Sequence, residues 1–344
     1  MGVAIARRRA MSIRRIVGVA TVIGVVASAR AVLRRRRAFT LDRRVVVIMG
    51  GSRGLGLELA RVFVDRGARV ALCARDVDEL SRACDQLGDG VFAVPCDVAD
   101  MDSVHLALAS VTDELGDIDV LVNCAGIIQV GPIEKMTRED FDVALRTNLW
   151  GPLHAMLAVI PEMRRRKQGR IVNIASIAGK VAVPHLAPYS TSKFGLVGLS
   201  ETMRVELAKD NIFVTTVCPG LMRTGSPRHA WFKGSQQAEY AWFSILDSLP
   251  ITSMSAEAAA TQIVRACENG DAELVVSWQA KLATIVHGIA PNLMQEILSL
   301  VTRVLPGPTS SHHAVQGKDV ESVLAPSALT RNSDEAARRN NELD

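Results

Sequence analysis

The chain has 344 residues, 48% of them hydrophobic, and a formal net charge of +4 at pH 7. The positive charge is confined to residues 1–44, which hold twelve Arg and one acid, so the other 300 residues carry 28 bases against 35 acids, a net charge of −7. An acidic body argues against nucleic-acid binding. The six cysteines form no CxxC pair and show no Cys/His metal spacing, which predicts buried reduced thiols, a reducing compartment and no metal site.

Residues 1–40 are a basic and apolar segment. Five Arg precede the uncharged stretch 16–29, and Arg30 and the run 34–37 follow it. The stretch is shorter than the roughly 20 residues that a helix needs to cross a bilayer. A short membrane anchor, a helix lying on the membrane surface and a cleaved signal peptide all remain open at this point.

Residues 41–280 alternate short apolar runs with longer amphipathic segments. The predicted strands are Val45–Met49, Arg69–Ala74, Val91–Val94, Val120–Asn123, Arg170–Ala175, Ile212–Cys218 and Glu273–Val276. The predicted helices are Leu57–Arg66, Val77–Leu87, Asp102–Leu115, Arg138–Arg164 and Tyr189–Asp210. This alternation predicts an α/β fold, a doubly wound parallel sheet of the Rossmann type with helices on both faces.

The C-terminal part differs from this domain in composition. Residues 281–306 are apolar and predict a helical extension. After Pro306-Gly307-Pro308 the chain is polar and lacks aromatic residues, so residues 307–344 are predicted to form a disordered tail.

A glycine-rich loop follows the first predicted strand and leads into a helix. Its sequence is Gly50-Gly51-Ser52-Arg53-Gly54-Leu55-Gly56. Glycines allow a tight turn and a close approach of the backbone to a pyrophosphate, and the helix N-terminus offers free N–H groups. The loop therefore predicts a dinucleotide site, which Ser52, Arg53 and Leu55 would line together with the glycines.

The end of the second predicted strand bears on the choice of dinucleotide. An acid there would bind the ribose 2′-OH of NAD and repel a 2′-phosphate, but the position holds Ala74. Arg75 and Arg53 could bind the 2′-phosphate of NADP through charge-assisted hydrogen bonds, although both could also be solvated surface residues. We predict NADP(H) as the cofactor, with Asp76 as the feature that favours NAD.

Six motifs occur in an order and spacing that resemble the short-chain dehydrogenase/reductase family, in its common single-domain branch. They are Gly50-x3-Gly54-x-Gly56, Asn123-Cys124-Ala125-Gly126, Asn148, Ser176, Tyr189-x3-Lys193 and Pro219-Gly220. The resemblance covers residues 43 to about 275, roughly two thirds of the chain. One departure is Cys124, where the family usually has a second Asn.

The catalytic chemistry suits three of these residues. Hydride transfer to a carbonyl leaves an alkoxide that must be protonated, and a Tyr with a pKa near 10 is a poor proton donor at neutral pH. Lys193 lies one helical turn after Tyr189, so its charge and that of oxidised nicotinamide should lower the pKa of Tyr189. Ser176, after a predicted strand, would hydrogen-bond the substrate oxygen.

The resemblance implies further roles. Lys193 would bind the nicotinamide ribose, and Asn148 would hold a water that relays protons. The expected cofactor contacts are Asp97 and Val98 near the adenine, Asn123, Ala125 and Gly126 beside the cofactor, Pro219 and Gly220 at the nicotinamide carboxamide, and Thr224 near the pyrophosphate. His154, His185, His229 and His287 show no metal spacing and are interpreted as structural or surface residues.

The family places a substrate lid after Pro219-Gly220. Here five of the fourteen aromatic residues of the chain lie between positions 231 and 243. They predict either simple packing of the lid or an apolar pocket for a lipophilic carbonyl or alcohol, such as a fatty-acyl ketone, a sterol or a retinoid. The resemblance also implies a homodimer formed through the predicted helices 138–164 and 189–210.

A cytosolic reduced cofactor disfavours the signal peptide, so we predict membrane contact through residues 12–37 and a cytoplasmic catalytic domain. If the segment does not insert, the whole protein would be cytoplasmic. Three other functions remain: an NAD-linked alcohol dehydrogenase, a catalytically silent nucleotide-binding scaffold, and a dehydratase or epimerase of the extended relatives. Retention of Tyr189 and Lys193 argues against the scaffold, and the glycine spacing argues against the extended relatives.

Overall fold

The computed structural model describes residues 24–25, 28–309, 313–320 and 330–343. The strands are β1 (Val45–Met49), β2 (Arg69–Ala74), β3 (Phe92–Pro95), β4 (Val120–Asn123), β5 (Gln129–Val130), β6 (Gly169–Ile174), β7 (Ile212–Pro219), β8 (Leu221–Arg223), β9 (Trp231–Phe232), β10 (Ser253–Ser255), β11 (Glu273–Val276) and β12 (Val315–Gln316). Seven of them form one parallel sheet in the order β3-β2-β1-β4-β6-β7-β11. The predicted Rossmann-type fold is confirmed.

Helices cover both faces of this sheet. They are α1 (residues 28–37), α2 (Gly54–Asp65), α3 (Val77–Leu87), α4 (Met101–Leu115), α5 (Arg138–Leu145), α6 (Gly151–Arg166), α7 (Ala187–Leu207), α8 (Gln236–Ser248), α9 (Ala256–Asn269), α10 (Trp278–Ile289), α11 (Pro291–Val301) and α12 (Arg331–Arg339). The sheet separates two apolar clusters, and strand β1 contributes side chains to both. Val46 and Ile48 pack in one cluster, and Val45, Val47 and Met49 pack in the other. Such alternation is the period-2 geometry of a strand that is buried on both faces.

The helix predicted over 138–164 is divided into two. Between α5 and α6 the segment Arg146–Trp150 forms a π-helical turn that contains the fully buried Asn148. The Asn148 side chain bonds the backbone of Ile127 instead of projecting from a regular helix. A π-helical turn of this kind is frequent at functional sites.

The apolar extension predicted over 281–306 also consists of two helices. α10 ends at Ile289, and Ala290 adopts a non-helical backbone conformation (φ −137°, ψ 68°) before Pro291 begins α11. Proline disfavours the helical conformation in the residue before it, which explains the break.

The prediction of a disordered tail is wrong for the two parts of residues 307–344 that form regular elements. β12 pairs with β9, and α12 packs through the buried side chains of Ser333, Ala336 and Ala337. The polar composition was misleading because this helix is held by small residues and by hydrogen bonds to distant parts of the chain, not by an apolar stripe of its own.

At the other end of the chain, α1 packs on the sheet edge. Arg34 Nε donates to Asp271 at 2.8 Å, and the Arg37 guanidinium lies 5.0 Å from the centre of the Phe213 ring. Most of the segment 12–37 that we predict to contact a membrane lies outside the described residues. Within the described part of the chain, no helix combines the length and the apolar character that crossing a bilayer requires.

Candidate active site

The predicted site residues meet at the carboxyl edge of the central sheet. Gly50 directly follows β1, Asn123 ends β4, Ser176 lies just beyond β6 and Pro219 ends β7. The strands β1, β4, β6 and β7 lie side by side in the sheet. They are flanked by β2 and β3 on one side and by β11 on the other. The carboxyl edge of an open parallel sheet is where such folds bind ligands.

The conformation of the glycine loop requires residues that have no side chain. Gly50 and Gly54 have positive φ angles of 84° and 56°. A β-carbon on Gly56 would lie 1.9 Å from the Gly50 carbonyl oxygen, and one on Gly50 would lie 2.5 Å from the Ala125 nitrogen. The helix begins at Gly54, three residues earlier than predicted, so its free N–H groups belong to the loop itself.

The side chains around this loop include an acid that sequence reasoning missed. Ser52 Oγ donates to Glu79 Oε2 at 2.8 Å, and Arg53 Nη1 lies 3.6 Å from Glu79 Oε1. Asp76 caps α3, since its carboxylate accepts from the Glu79 nitrogen at 2.8 Å. Arg75 is exposed. The spacing of an N-cap Asp76 with an acid three residues later is a capping-box pattern, which could have located Glu79 in the first turn beside the loop.

Ser176, Tyr189 and Lys193 lie together. Ser176 lies close enough to Tyr189 for its side chain to lower the pKa of the phenol, and Ser176 Oγ accepts from the Ala178 nitrogen at 3.1 Å. Lys193 Nζ lies 5.7 Å from the centre of the Tyr189 ring and donates to the Ile174 carbonyl oxygen at 2.8 Å. The predicted spacing of one helical turn therefore brings the amine beside the ring.

Burial dominates the electrostatics of this group. It raises the pKa of Tyr189 to about 12, against a smaller lowering by the hydrogen bond from Ser176. It also lowers the pKa of Lys193 to about 8. Because burial is the largest contribution, the pKa of Tyr189 lies above its ordinary value even though Lys193 is close to the ring. The downward shift remains a prediction for the nucleotide-bound enzyme.

Asn148 completes the catalytic group. Its Oδ1 accepts from the Ile127 nitrogen at 2.9 Å, and its Nδ2 donates to the Ile127 oxygen and to Ser192 Oγ, both at 3.0 Å. A β-carbon on Gly126 would lie 3.3 Å from Asn148 Oδ1 and 3.7 Å from Lys193 Nζ. Gly126 thus leaves open the space towards which both polar groups are directed, which is compatible with the predicted water.

The remaining predicted cofactor residues line the same edge. Asn123 Nδ2 donates to Asn173 Oδ1 at 2.8 Å and ties β4 to β6. Asp97 accepts from the Ala99 nitrogen at 3.0 Å, and Val98 packs against Gly151. The family departure, Cys124, is partly buried, and desolvation raises the pKa of its thiol to about 12.

The turn after β7 is packed from two sides. A β-carbon on Gly220 would lie 2.8 Å from Ser277 Oγ, and Thr224 is buried with Oγ1 accepting from the Ser226 nitrogen at 3.1 Å. The Thr224 carbonyl accepts from Asn340 Nδ2 at 3.3 Å, so the C-terminal segment reaches this turn.

The aromatic residues of the lid form a packed cluster. The Phe232 ring lies edge-on to Tyr240 and Phe243, with ring centres 5.4 and 6.1 Å apart, and Tyr189 packs against the same cluster. For Phe232, Tyr240 and Phe243 the simple packing role therefore holds, since all three are buried.

A buried acid organises the lid next to this cluster. Glu239 is fully buried, and its two oxygens bond His185 Nδ1 at 2.8 Å and Trp242 Nε1 at 2.7 Å. His185 has a positive φ of 63° and also lines the neighbouring cleft. Its position four residues before Tyr189 is the feature of the sequence that could have indicated that His185 lies near the site.

This cleft lies next to Tyr189 along α7. It has a volume of about 860 Å³ and passes over Ala187 and Ser190, the neighbours of Tyr189 in α7. Its walls come from the loop after β5, from α7 and from α11 with the segment that follows. Apolar side chains on these walls include Ile133, Phe194, Leu298 and Leu305.

Comparison with known proteins settles the family. The model of the short chain dehydrogenase family matches residues 44–231. The chain belongs to the short-chain dehydrogenase/reductase family. Its fold, glycine loop and Tyr-x3-Lys motif are those of a family of oxidoreductases that use a nicotinamide cofactor.

Two relatives and one solved structure illustrate the match within the short-chain dehydrogenase/reductase family. The chain is similar to dehydrogenase/reductase SDR family member 7B of Mus musculus, 31% identical over 285 residues that cover 80% of this chain and 87% of the relative. It is also similar to the 3-oxoacyl-[acyl-carrier-protein] reductase FabG of Vibrio cholerae, 33% identical over 184 residues, 54% of this chain and 75% of the relative. The crystal structure of a short-chain dehydrogenase from Streptomyces avermitilis has a TM-score of 0.67 and 28% identity, and covers 76% of this chain and 98% of its own.

Proposed function

We propose that the protein is an NADP(H)-dependent oxidoreductase that transfers hydride between nicotinamide and a lipophilic carbonyl or alcohol. The observation that carries this proposal is the grouping of Ser176, Tyr189 and Lys193 beside a cleft with apolar walls. When bound, NADP(H) supplies or accepts the hydride.

The residues of the chain handle the proton and the charge. The hydroxyls of Ser176 and Tyr189 can both bond one substrate oxygen, and Tyr189 then donates its proton in reduction or accepts one in oxidation. Lys193 is buried close to the Tyr189 ring, so a proton lost from the phenol leaves a negative charge that its ammonium stabilises.

Two observations on the nucleotide side support opposite cofactors. Arg75 is exposed at the end of β2, and Asp76 is engaged in capping α3, which supports NADP(H). Glu79 lies beside Ser52 and Arg53 and would repel a 2′-phosphate, which favours the alternative of an NAD-linked alcohol dehydrogenase. We prefer NADP(H) because an exposed arginine can turn towards a phosphate, while Glu79 already accepts a hydrogen bond from Ser52 and forms an ion pair with Arg53.

The exposed surface next to the cleft supports a lipophilic substrate and membrane contact. α11 forms one wall of the cleft and, with α10, exposes a run of large apolar side chains: Trp278, Leu282, Ile285, Ile289, Leu293, Ile297, Leu300 and Val301. Patches of this kind mark membrane or protein interaction sites. We propose that a membrane-associated enzyme with a cytoplasmic catalytic domain receives its substrate from this side.

A homodimer is supported by a second apolar surface. Leu157 of α6, Phe194 and Val205 of α7, and Trp150 at the π-helical turn are exposed, on the helices through which the family resemblance implies dimerisation. Sedimentation of the Leu157→Glu variant tests this, because a monomer is expected if these helices form the interface.

The proposed function is tested by turnover of ketones of increasing chain length with NADPH and with NADH. We expect long-chain ketones and NADPH to have the higher kcat/KM, and the NADPH preference to fall in Arg75→Ala and rise in Glu79→Gln. Equal kcat/KM for long and short ketones would refute the lipophilic substrate. A preference for NADH that survives Glu79→Gln would favour the NAD-linked alternative.

A further inference from the structure

The C-terminal segment 330–343 lies on the surface that the glycine loop offers to a dinucleotide. The Gly54 nitrogen, in the first turn of α2, donates to the Asn340 carbonyl oxygen at 2.8 Å. Asn341 Nδ2 donates to the carbonyl oxygens of Ser52 and Glu79, both at 2.9 Å. The segment therefore bonds the backbone of the loop at two positions, Ser52 and Gly54.

Glu342 adds a negative charge at the same place. A β-carbon on Gly54 would lie 2.6 Å from Glu342 Oε1, so the carboxylate rests against the N-terminus of α2. Its other oxygen lies 3.0 Å from His229 Nε2 and 3.6 Å from Arg53 Nη1. A helix N-terminus with neighbouring cations is the environment in which proteins bind phosphate groups.

The loop itself fits a dinucleotide once the segment is absent. Gly56 and Gly50 leave no room for side chains where a pyrophosphate would approach. Arg53 Nη1 is buried and makes no hydrogen bond within the part of the chain that the structure describes. The carbonyl oxygen of Asn340 and the carboxylate of Glu342 present, to the same N–H group and the same cations, the kind of acceptor atoms that a phosphate presents.

The docking is specific and not merely a chain end resting on the surface. Asn340 and Ala337 are fully buried, and Asn341 and Glu342 nearly so. Arg82 Nε donates to Asn341 Oδ1 at 2.9 Å, and Arg61 Nη2 donates to the Arg339 carbonyl at 2.9 Å. Contacts from α2 and α3 thus hold the segment over the loop.

From these contacts we propose that residues 330–343 are an autoinhibitory segment that occupies the pyrophosphate surface and must undock before the dinucleotide binds. The proposal rests on the proposed nucleotide-dependent function. Because the segment and the nucleotide require the same donors, they bind in competition. The apparent affinity for nucleotide is then lowered by the fraction of molecules in which the segment is docked.

Two variants of the full-length protein undock the segment by different means. Ala337→Glu places a long charged side chain where Ala337 packs against Gly225, since a β-carbon on Gly225 would already lie 2.7 Å from the Ala337 α-carbon. The pair Asn341→Ala with Glu342→Gln removes the Asn341 hydrogen bonds and the Glu342 charge but keeps α12. Arg331→Ala is the matched control, because it removes only the exposed ion pair with Glu335.

The measurement is a direct titration of each protein with NADPH and with NADH, in which the fluorescence of the nucleotide reports binding. We expect both undocked variants to bind the preferred nucleotide about tenfold more tightly or better than the wild type, and the control to match the wild type. A synthetic peptide of residues 330–343 should weaken binding to Ala337→Glu. Nucleotide should also accelerate tryptic cleavage after Arg339 in the wild type.

Two outcomes overturn the proposal and are distinguishable from each other. If the wild type and both variants bind nucleotide with equal affinity, or the variants bind more weakly, the segment does not compete and the proposed function stands. If no protein binds either nucleotide, the nucleotide-dependent function and the autoinhibition both fail.

Discussion

The two halves of the active site differ in what covers them. The catalytic half, around Ser176 and Tyr189, borders a cleft of about 860 Å³. The nucleotide half, around Gly54 and Ser52, is covered by residues 340–342 through hydrogen bonds of 2.8 to 2.9 Å. Both halves lie on the same sheet edge, but different segments of the chain lie beside them.

The largest effect is expected from a substitution that disables the catalytic half alone. Tyr189→Phe removes the proton donor, so kcat should fall by a factor of between about 10² and 10⁴, while the Kd for nucleotide stays the same. Tyr240→Phe is the matched control, because Tyr240 is the other tyrosine of the chain and is buried in the aromatic cluster of the lid. Residual turnover by Tyr189→Phe within tenfold of the wild type would contradict the assigned role.

The next largest effect is expected from a substitution in the glycine loop of the nucleotide half. In Gly56→Ala the new methyl group would lie 1.9 Å from the Gly50 carbonyl oxygen, so the loop must move. We expect the free energy of unfolding to fall by about 1–3 kcal/mol. We also expect most of the affinity for nucleotide to be lost. Gly198→Ala is the control in α7, where a β-carbon meets nothing within 4 Å. Thermal unfolding and nucleotide titration measure both; undiminished binding would show that the loop is not the nucleotide site.

A smaller effect links the covering segment to pH. Asp247 is buried and accepts from Ser333 Oγ in the segment at 3.0 Å; burial raises the pKa of Asp247 to about 7, while Arg223 lowers it and Glu342 raises it. Because the folded pKa exceeds the ordinary value, the native state binds more protons, and stability and docking are lost as the pH rises from about 4 to about 7.

The Asp247→Asn variant tests this linkage. We expect its melting temperature to exceed that of the wild type by more at pH 8 than at pH 5, since the amide removes the buried charge. A temperature difference that is the same at both pH values would mean that Asp247 does not titrate in this range.

The smallest effect lies outside both halves. Arg34→Ala removes a half-exposed ion pair with Asp271, and we expect a loss of about 0.5–1 kcal/mol in the free energy of unfolding with no change in nucleotide affinity. Arg36→Ala, an exposed position on the same helix, is the control. A change in nucleotide affinity on Arg34→Ala would connect the N-terminal helix to the site.

Several features of the molecule were predictable because they depend on neighbouring residues. The loop Gly50–Gly56 follows a buried strand, and the spacing of Tyr189 and Lys193 is one helical turn, so both follow from local geometry. The seven strands of the sheet were predicted with at most a one-residue difference at an end, because runs buried on both faces are continuously apolar.

Other features depend on contacts between residues that are far apart in the sequence. Asn341 bonds the Ser52 carbonyl across 289 positions, and Glu239 bonds His185 across 54, and no local pattern encodes either pair. The segment 330–343 was predicted to be disordered because its composition is polar, but its order comes from donors and acceptors that the body supplies. Local periodicity determined the sheet, the glycine loop and the catalytic helix, whereas only tertiary packing decided that the end of the chain would cover the nucleotide surface.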